Sequence, residues 1–291
     1  MEIEKVYSEF LDSKRDEYKE KYKGLEKFFS ASSAGHCYKK HLFKITDAPQ
    51  KDIEARSQRI LRLGTLIHQD FEDAVKYYIS NQNLHATSTN GDGITSTYYF
   101  DNYKFYVEHQ IRLPQYNIVG HLDFAVFDKD NRQLTIYDYK TAASYKWSLK
   151  FGRKYKDKNP NFNYEMQLST YLLGMEFELG ELDELIDNKQ MSIVWYNKDT
   201  SRMREEKIDL PFIDVAIDYW QELNTWRDEI ESANPELDNY DIVNSTLLRR
   251  REIGVPFQDW ECKYCQYESI CPSTIAQRNI RKPRKPRKRR I

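Results

Sequence analysis

The sequence of 291 residues has no long hydrophobic run, and its longest apolar stretches are as short as Phe124–Phe127 and Ile193–Tyr196. A helix that crosses a bilayer needs about 20 apolar residues, so we expect no membrane partner. The first residues, Met1–Lys5, lead into no apolar segment of the kind that a secretory signal contains. These absences predict a soluble, cytoplasmic protein. A hydrophobic content of 40% excludes a chain that is disordered over its whole length.

The net charge is only −1, but the charges are unevenly distributed. The segment 278–291 holds nine Lys or Arg and no acidic residue, and removing these charges leaves residues 1–277 with a net charge of −10. A basic tail on an acidic body is typical of a tether for a polyanion such as nucleic acid. A solubilising or artificial tail is the alternative. Two Arg-Lys-Pro repeats, at 281–283 and 284–286, predict that the tail is extended and disordered.

Cysteine is scarce, with Cys37 far upstream of Cys262, Cys265 and Cys271, which have the spacing C-x2-C-x5-C. In a reducing cytosol this pattern favours a metal site over disulfides. Four thiolates can complete either a zinc site or a [4Fe–4S] cluster. Zinc sites usually pair two closely spaced cysteine pairs, and Cys37 has no such neighbour. Because Pro272 follows Cys271, as is common after the last ligand of cluster-binding segments, the cluster is favoured. Free buried thiols are a third interpretation.

The hydrophobic periodicity changes between helical spacing and alternation along the chain, which predicts an α/β fold with a mixed central sheet flanked by helices. Helical character is predicted for 3–30, from Ser32-Ser33 as a cap through Cys37 to Ile45, and for 53–80, 163–174 and 212–230. Strands are predicted at 105–113, 118–128, 134–140, 191–197 and 205–210, and loops at 81–101 and 145–160. The predicted domains are an N-terminal helical segment with the first cysteine (1–52), a core (53–235), a cysteine segment (236–277) and the tail (278–291).

A carboxylate and an ammonium group end the predicted strand 134–140, because Asp138 and Lys140 are two residues apart and share one face. Such a pair on an otherwise apolar strand is costly without a ligand. Asp123 follows Gly120 on the preceding strand, and pairing of the two strands would bring both carboxylates within reach of one metal. Hard cations such as Mg²⁺ prefer these oxygen ligands. Lys140 would then stabilise charge developing on phosphorus or orient a water. By itself, however, such a pair is usually an exposed strand pair.

Two helices carry further candidates. His68 lies four residues after Gly64, which would leave room above the imidazole ring, although a core histidine explains His68 alone equally well. Gln167 and Tyr171 are four residues apart and share one face of their helix.

Four short motifs follow one another in an order that resembles the PD-(D/E)xK nuclease superfamily, in particular its RecB-like exonucleases: Gly64-x-x-x-His68, Gly120-x-x-Asp123, Asp138-x-Lys140 and Gln167-x-x-x-Tyr171. The resemblance covers about residues 30–272 and implies a restriction-endonuclease-like core. It implies that His68, Asp123, Asp138 and the carbonyl of Tyr139 ligate Mg²⁺ or Mn²⁺, that Asp123, Asp138 and Lys140 are catalytic, and that Gln167 and Tyr171 contact DNA or support the site. Glu108 is either a supporting group or an ordinary exposed acid.

The cysteine pattern is similar to that of the iron–sulfur subgroup of these nucleases, which includes the AddB nuclease domain and the four-cysteine CRISPR-associated exonucleases. This similarity implies that Cys37, Cys262, Cys265 and Cys271 bind a [4Fe–4S] cluster. The cluster would act as a clasp that joins a helix before the core to a segment after it. His36 is interpreted as a bystander.

Cations and aromatic rings alternate in the predicted loop that follows Lys140. The cations are Lys146, Lys150, Arg153, Lys154, Lys156 and Lys158, and the rings are Tyr145, Trp147, Phe151 and Tyr155. Cations for phosphates and rings for bases suit a platform for single-stranded nucleic acid. A solvated loop with a partly buried tryptophan is the alternative.

Together these patterns predict a metal-dependent deoxyribonuclease, an exonuclease that prefers single strands or free ends. Repair, recombination, phage replication and spacer acquisition remain open as its role, with a helicase or a recombination or integration factor as a possible partner. The alternative is a non-catalytic or zinc-stabilised DNA-binding or assembly subunit with a nuclease-like fold.

Overall fold

A computed structural model gives the structure of residues 2–21, 23–25, 27–81, 85–86, 96–152, 162–208, 212–236, 238–245, 261–262 and 264–271. The helices are α1 (Ile3–Lys21), α2 (Tyr38–Ile45), α3 (Ala55–Asn81), α4 (Ser144–Phe151), α5 (Phe162–Glu181), α6 (Ile213–Ala233) and α7 (Asp241–Ser245). The strands are β1 (Phe29–Ser30), β2 (His85–Ala86), β3 (Ser96–Phe100), β4 (Tyr103–Leu113), β5 (Ile118–Asp128), β6 (Gln133–Ala142), β7 (Asn188–Asn197) and β8 (Met203–Ile208). None of the helices in this part of the chain combines the length and the apolar character of a membrane-spanning segment.

The strands form one mixed sheet in the order β2-β3-β4-β5-β6-β7-β8, and β1 pairs in parallel with β5. Neighbours along this order are antiparallel except β6 and β7, which are parallel and are connected through α4 and α5. A parallel pair needs such a crossover connection, because a tight turn can join only antiparallel strands. The predicted α/β fold, with a mixed central sheet flanked by helices, is confirmed.

Helices α3 and α5 pack against β6 from opposite faces. Phe71 of α3 stacks on Tyr139 at 4.5 Å between ring centroids, whereas Gln167 of α5 bonds to Asp138. Adjacent residues of a strand point to opposite faces, so these two contacts assign one helix to each side. Helix α5 is buried over much of its length, and the added Cβ of its Gly174 would lie 2.8 Å from Ile111 Cδ1 on β4. Helix and sheet are therefore in close contact where the site forms.

The chain divides into two compact units, one of Met1–His36 with Glu54–Trp226 and the other of Cys37–Ile53 with Arg227–Ile291. The first unit contains the sheet. In the second, the ring of Tyr267 lies 5.2 Å from that of Phe43 on α2, and Gln50 Nε2 donates to its hydroxyl at 3.2 Å. The cysteine-bearing segment 264–271 therefore packs on residues that precede the core in sequence.

Three local predictions are wrong. The predicted loop at 81–101 contains β2 and β3, which extend the sheet beyond β4. The first part of the predicted loop at 145–160 is helix α4, while 153–161 lies outside the described residues. Ser32-Ser33 belongs to a 3₁₀ turn (Ala31–Ser33), and α2 begins after Cys37, whose side chain makes no capping bond. The tail 278–291 also lies outside the described residues.

Candidate active site

The site forms where β5 and β6 separate. Their antiparallel ladder ends at the pair Phe124–Tyr137. Strand β6 nevertheless continues in parallel pairing with β7 as far as Ala142–Asn197. The next residues in register, Asp123 and Asp138, are thus the first pair beyond the ladder. Beyond this ladder the backbone groups and side chains of the two strands are available to other partners.

The alternation of side chains between the two sheet faces is also interrupted near Asp123, where β4 pairs with β5. Glu108 of β4 has a left-handed φ of 48°, and the register pair that it would form with Asp123 is missing between Val107–Phe124 and His109–Leu122. As a result Tyr106 and His109, three residues apart, lie on the same side, with rings 4.8 Å apart. A left-handed non-glycine residue is strained, and such strain is commonly found at functional sites. The predicted uninterrupted alternation of β4 is therefore wrong at Glu108.

The carboxylate of Asp123 replaces the missing backbone partner of β6. Its Oδ2 accepts a hydrogen bond from the Tyr139 N–H at 2.6 Å, and its Oδ1 lies 3.6 Å from His68 Nδ1 on α3. Burial lowers the pKa of His68, but the carboxylate of Asp123 outweighs this effect and raises it. Asp123 therefore connects α3, β5 and β6 at one point.

Asp138 is 1% exposed and has two partners. Lys140 Nζ lies 2.6 Å from its Oδ2, and Gln167 Nε2 donates to its Oδ1 at 3.1 Å. Burial raises the pKa of Asp138 to about 6, and Asp123 adds to this rise while Lys140 and His68 oppose it. Burial would lower the pKa of Lys140, but Asp138 outweighs it and raises that pKa. Burial therefore disfavours the charged form of Asp138, and Lys140 partly compensates for this effect.

Gln167 and Tyr171 are buried and form the base of the site. Gln167 Nε2 donates to Tyr171 Oη at 2.8 Å as well as to Asp138, as their four-residue spacing allows. Burial raises the pKa of Tyr171 well above its usual range, and Asp138 contributes to this rise. Tyr171 Cε1 would lie 3.2 Å from a Cβ at Gly120, so this glycine admits the ring. Both side chains support Asp138.

The structure brings His68, Asp123, Asp138 and Lys140 to one place. Among the described residues, no group of three or more His, Cys, Asp or Glu side chains lies close enough together to hold a metal ion. Glu108 lies near enough to raise the pKa of Tyr139 and Tyr171, after burial and the aspartates. The expectation that Gly64 makes room above His68 is not supported, because a Cβ there would meet Thr141 Oγ1 at an ordinary 3.5 Å.

Sequence reasoning missed Tyr164, which lies three residues before Gln167 on α5. Lys140 Nζ lies 5.4 Å from the centroid of its ring. The available signal was its position one helical turn from Gln167, which places both on one side of α5. Of the rings predicted for the basic segment, Trp147 packs on Phe151 at 4.8 Å, whereas Tyr145 is 77% exposed.

The four cysteines belong to the second compact unit and form no disulfide. Cys271 is buried and the other three are half-buried. Burial raises the pKa of Cys265, and Cys271 adds to this rise while Lys40 on α2 opposes it. Cys265 therefore lies near both Cys271 and the helix that begins after Cys37.

No curated protein sequence matches the chain with significant similarity. The crystal structure of SSO0001 is 17% identical, with a TM-score of 0.47, and the match covers 92% of this chain and 97% of that one. An alkaline exonuclease (LHK-Exo) from Laribacter hongkongensis is 15% identical, with a TM-score of 0.40 and coverage of 75% and 99%. The structure of LHK-Exo in complex with dAMP is 14% identical, with a TM-score of 0.41 and coverage of 75% of this chain and 99% of that one.

The sequence profile of the PD-(D/E)XK nuclease superfamily matches residues 29–272, which is most of the chain and contains every motif residue described above. The chain belongs to the PD-(D/E)XK nuclease superfamily.

Proposed function

We propose that this protein is a metal-dependent deoxyribonuclease that hydrolyses phosphodiester bonds as an exonuclease on single strands or free ends. The observation that carries the proposal is the meeting of Asp123, Asp138 and Lys140 where β5 and β6 separate. A half-buried lysine held 2.6 Å from a buried aspartate, beside a second carboxylate, is costly for the fold, and catalysis explains it better than a non-catalytic subunit does.

The residues suit a hard divalent cation, Mg²⁺ or Mn²⁺. The donors would be the carboxylates of Asp123 and Asp138, the imidazole of His68 and the carbonyl of Tyr139, a set dominated by oxygen. The geometry supports this fit, because Asp123 and Asp138 form the first residue pair beyond the β5–β6 ladder and His68 Nδ1 lies 3.6 Å from Asp123 Oδ1. When bound, the metal supplies a polarised phosphate oxygen and a nucleophilic water at neutral pH.

The side chains around the proposed metal position have distinct roles. Lys140 is a fixed positive charge at the site, and we assign it the stabilisation of negative charge on the phosphate in the transition state. Gln167 fixes the orientation of Asp138 through one hydrogen bond from its side-chain amide, and is itself oriented by its hydrogen bond to Tyr171. Asp123 holds His68 on one side and the backbone of β6 on the other. Preorganised groups of this kind lower the barrier because they need not rearrange during the reaction.

A cleavage gel tests this function. Purified protein is incubated with single- and double-stranded DNA, labelled at either end, in Mg²⁺, in Mn²⁺ or in excess chelator. We expect metal-dependent shortening of the labelled strand, faster for single strands or ends, and none in chelator or with an Asp138→Asn variant. Equal products from the wild type and the variant would trace the activity to a contaminant. No cleavage with either metal would overturn the proposal.

We further propose a [4Fe–4S] cluster on Cys37, Cys262, Cys265 and Cys271. Support comes from the four thiols in one compact unit, with Cys265 close to Cys271 and to α2. Iron–thiolate bonds would join the segment before the core to the one after it, and their energy would contribute to folding. Anaerobically purified protein should be brown and contain about four iron and four sulfide per chain. Colourless protein with stoichiometric zinc would replace the cluster with a zinc site.

A further inference from the structure

Helix α4 begins two residues after β6 ends, and so lies close to Lys140 in sequence. It carries Lys146 and Lys150, which are four residues apart and lie on one side of the helix. These two lysines have very different surroundings.

Lys150 serves packing. Its side chain is 7% exposed, and its Nζ lies 2.7 Å from Glu206 Oε2 on β8 and 4.7 Å from the ring centroid of Trp195. The indole N–H of Trp195 donates to the same carboxylate at 2.9 Å. Burial lowers the pKa of Lys150, although Glu206 opposes this. The charge of Lys150 is therefore paired within the protein, and its contacts hold α4 against β7 and β8.

Lys146 is exposed, and the groups beside its ammonium are aromatic rings, those of Tyr164 and, at 5.8 Å, Trp195. Its ammonium group donates to the phenol oxygen of Tyr164 and lies 4.8 Å from the centroid of that ring. A phenol orients an ammonium group without neutralising it, and within the described residues Lys146 makes no ion pair. Its full charge is therefore available to a ligand in solvent.

Tyr164 links this free charge to the active site. Lys140 Nζ lies 5.4 Å from the same ring centroid, so the two ammonium groups are separated by at most the sum of the two distances to the ring. Successive phosphates of one duplex strand are roughly 3.4 Å apart along the helix axis, so this distance spans at most about three nucleotides, and fewer along an extended single strand. Two cations gathered around one ring repel each other, and an anionic strand that contacts both would relieve the repulsion.

We propose that Lys146 binds a backbone phosphate of the substrate one to three nucleotides from the scissile bond, and that Tyr164 is the residue that positions it. The inference rests on the proposed nuclease function and adds to it the part of the substrate contacted by α4. The contact is electrostatic and independent of base sequence, as is typical of phosphate binding.

The test uses Lys146→Ala and Tyr164→Phe, with Lys207→Ala as the matched control. Lys207 is an exposed lysine of β8 that alternates with Glu206 and so points to the sheet face opposite α4. Binding of a labelled single-stranded oligonucleotide is measured in chelator over a series of salt concentrations, so that binding is read without cleavage. Cleavage is then measured separately with metal.

Loss of the Lys146 charge should make the slope of log K against log salt shallower by about 0.7, the value for one phosphate contact on a single strand. KM should rise several-fold with a smaller change in kcat. Tyr164→Phe keeps the charge of Lys146 but removes the phenol oxygen to which its ammonium group donates. The affinity for DNA should therefore fall, while the slope stays close to that of the wild type. Lys207→Ala should leave the slope unchanged.

An unchanged slope in Lys146→Ala, with cleavage equal to the wild type, would overturn the inference and leave the nuclease proposal intact. A wild-type protein that neither binds nor cleaves DNA would overturn both. Circular dichroism of the variants excludes misfolding as the cause, and Ala at an exposed helix position is expected to preserve the fold.

Discussion

Gly120 and Gly64 belong to two of the motifs, and the structure predicts opposite effects when each is changed to alanine. At Gly120 an added Cβ would lie 2.5 Å from Ala31 Cβ and 3.2 Å from Tyr171 Cε1. The first distance is shorter than packed carbon atoms tolerate, so either the backbone of β5 or the turn that carries Ala31 has to move.

Overpacking of this kind costs about 1–3 kcal/mol of unfolding free energy. A further cost falls on catalysis, because Tyr171 is bonded to Gln167, which in turn bonds to Asp138. Displacement of the Tyr171 ring would disturb the carboxylate that we assign to the metal. We therefore expect Gly120→Ala to lower kcat even at temperatures at which the variant remains folded.

Gly64→Ala is the control. Its Cβ would meet Thr141 Oγ1 at an ordinary 3.5 Å. Gly64 lies in the interior of α3, where alanine favours the helix over glycine by about 1 kcal/mol. This variant should be at least as stable as the wild type and should retain activity.

Urea denaturation followed by circular dichroism, together with initial cleavage rates, measures both effects. A Gly120→Ala variant with the stability and rate of the wild type would refute the packing argument. A Gly64→Ala variant that is less stable than the wild type would show that this glycine is needed for space at the site after all.

Three other changes test separate parts of the account. Lys140→Ala should lower kcat by about 10²–10³-fold in the cleavage gel with a smaller effect on DNA affinity, and near wild-type cleavage would remove Lys140 from the mechanism. Deletion of 278–291 removes nine positive charges, so the salt dependence of DNA binding should flatten while turnover at saturating DNA stays the same; an unchanged slope would mean that the tail does not touch DNA. Cys37→Ser should lower iron and sulfide content and destabilise the protein, whereas full iron and sulfide in the purified variant would contradict a cluster ligated by Cys37.

Much of the fold could be predicted because its signals are local. Strand β5 has the predicted bounds, and β4, β6 and β7 differ only at their ends, since alternating apolar residues of a sheet leave a clear pattern. Helix α4 was missed because its composition is that of a basic loop. Its position is stabilised by Lys150 against Glu206 and Trp195, contacts between segments distant in sequence that no local pattern contains. Strand β3 was missed for a similar reason, because its partner β4 defines it.

The site was predictable as a set of residues but not as a geometry. Spacing alone placed Asp138 with Lys140 and Gln167 with Tyr171, and the structure joins both pairs. The interrupted alternation at Glu108 depends on one backbone angle, which the sequence does not encode in any recognisable motif. The contact between the Asp123 carboxylate and the backbone of β6 likewise follows from the separation of two strands.

The central claim is that Asp123, Asp138, His68 and the Tyr139 carbonyl form a catalytic metal centre beside Lys140. The most direct measurement is an anomalous difference map from crystals of the protein soaked with Mn²⁺. The account predicts a manganese peak between the two carboxylates, in contact with the imidazole and the carbonyl. A peak that lies elsewhere, or no peak in crystals of a protein that cleaves DNA with Mn²⁺, would contradict it.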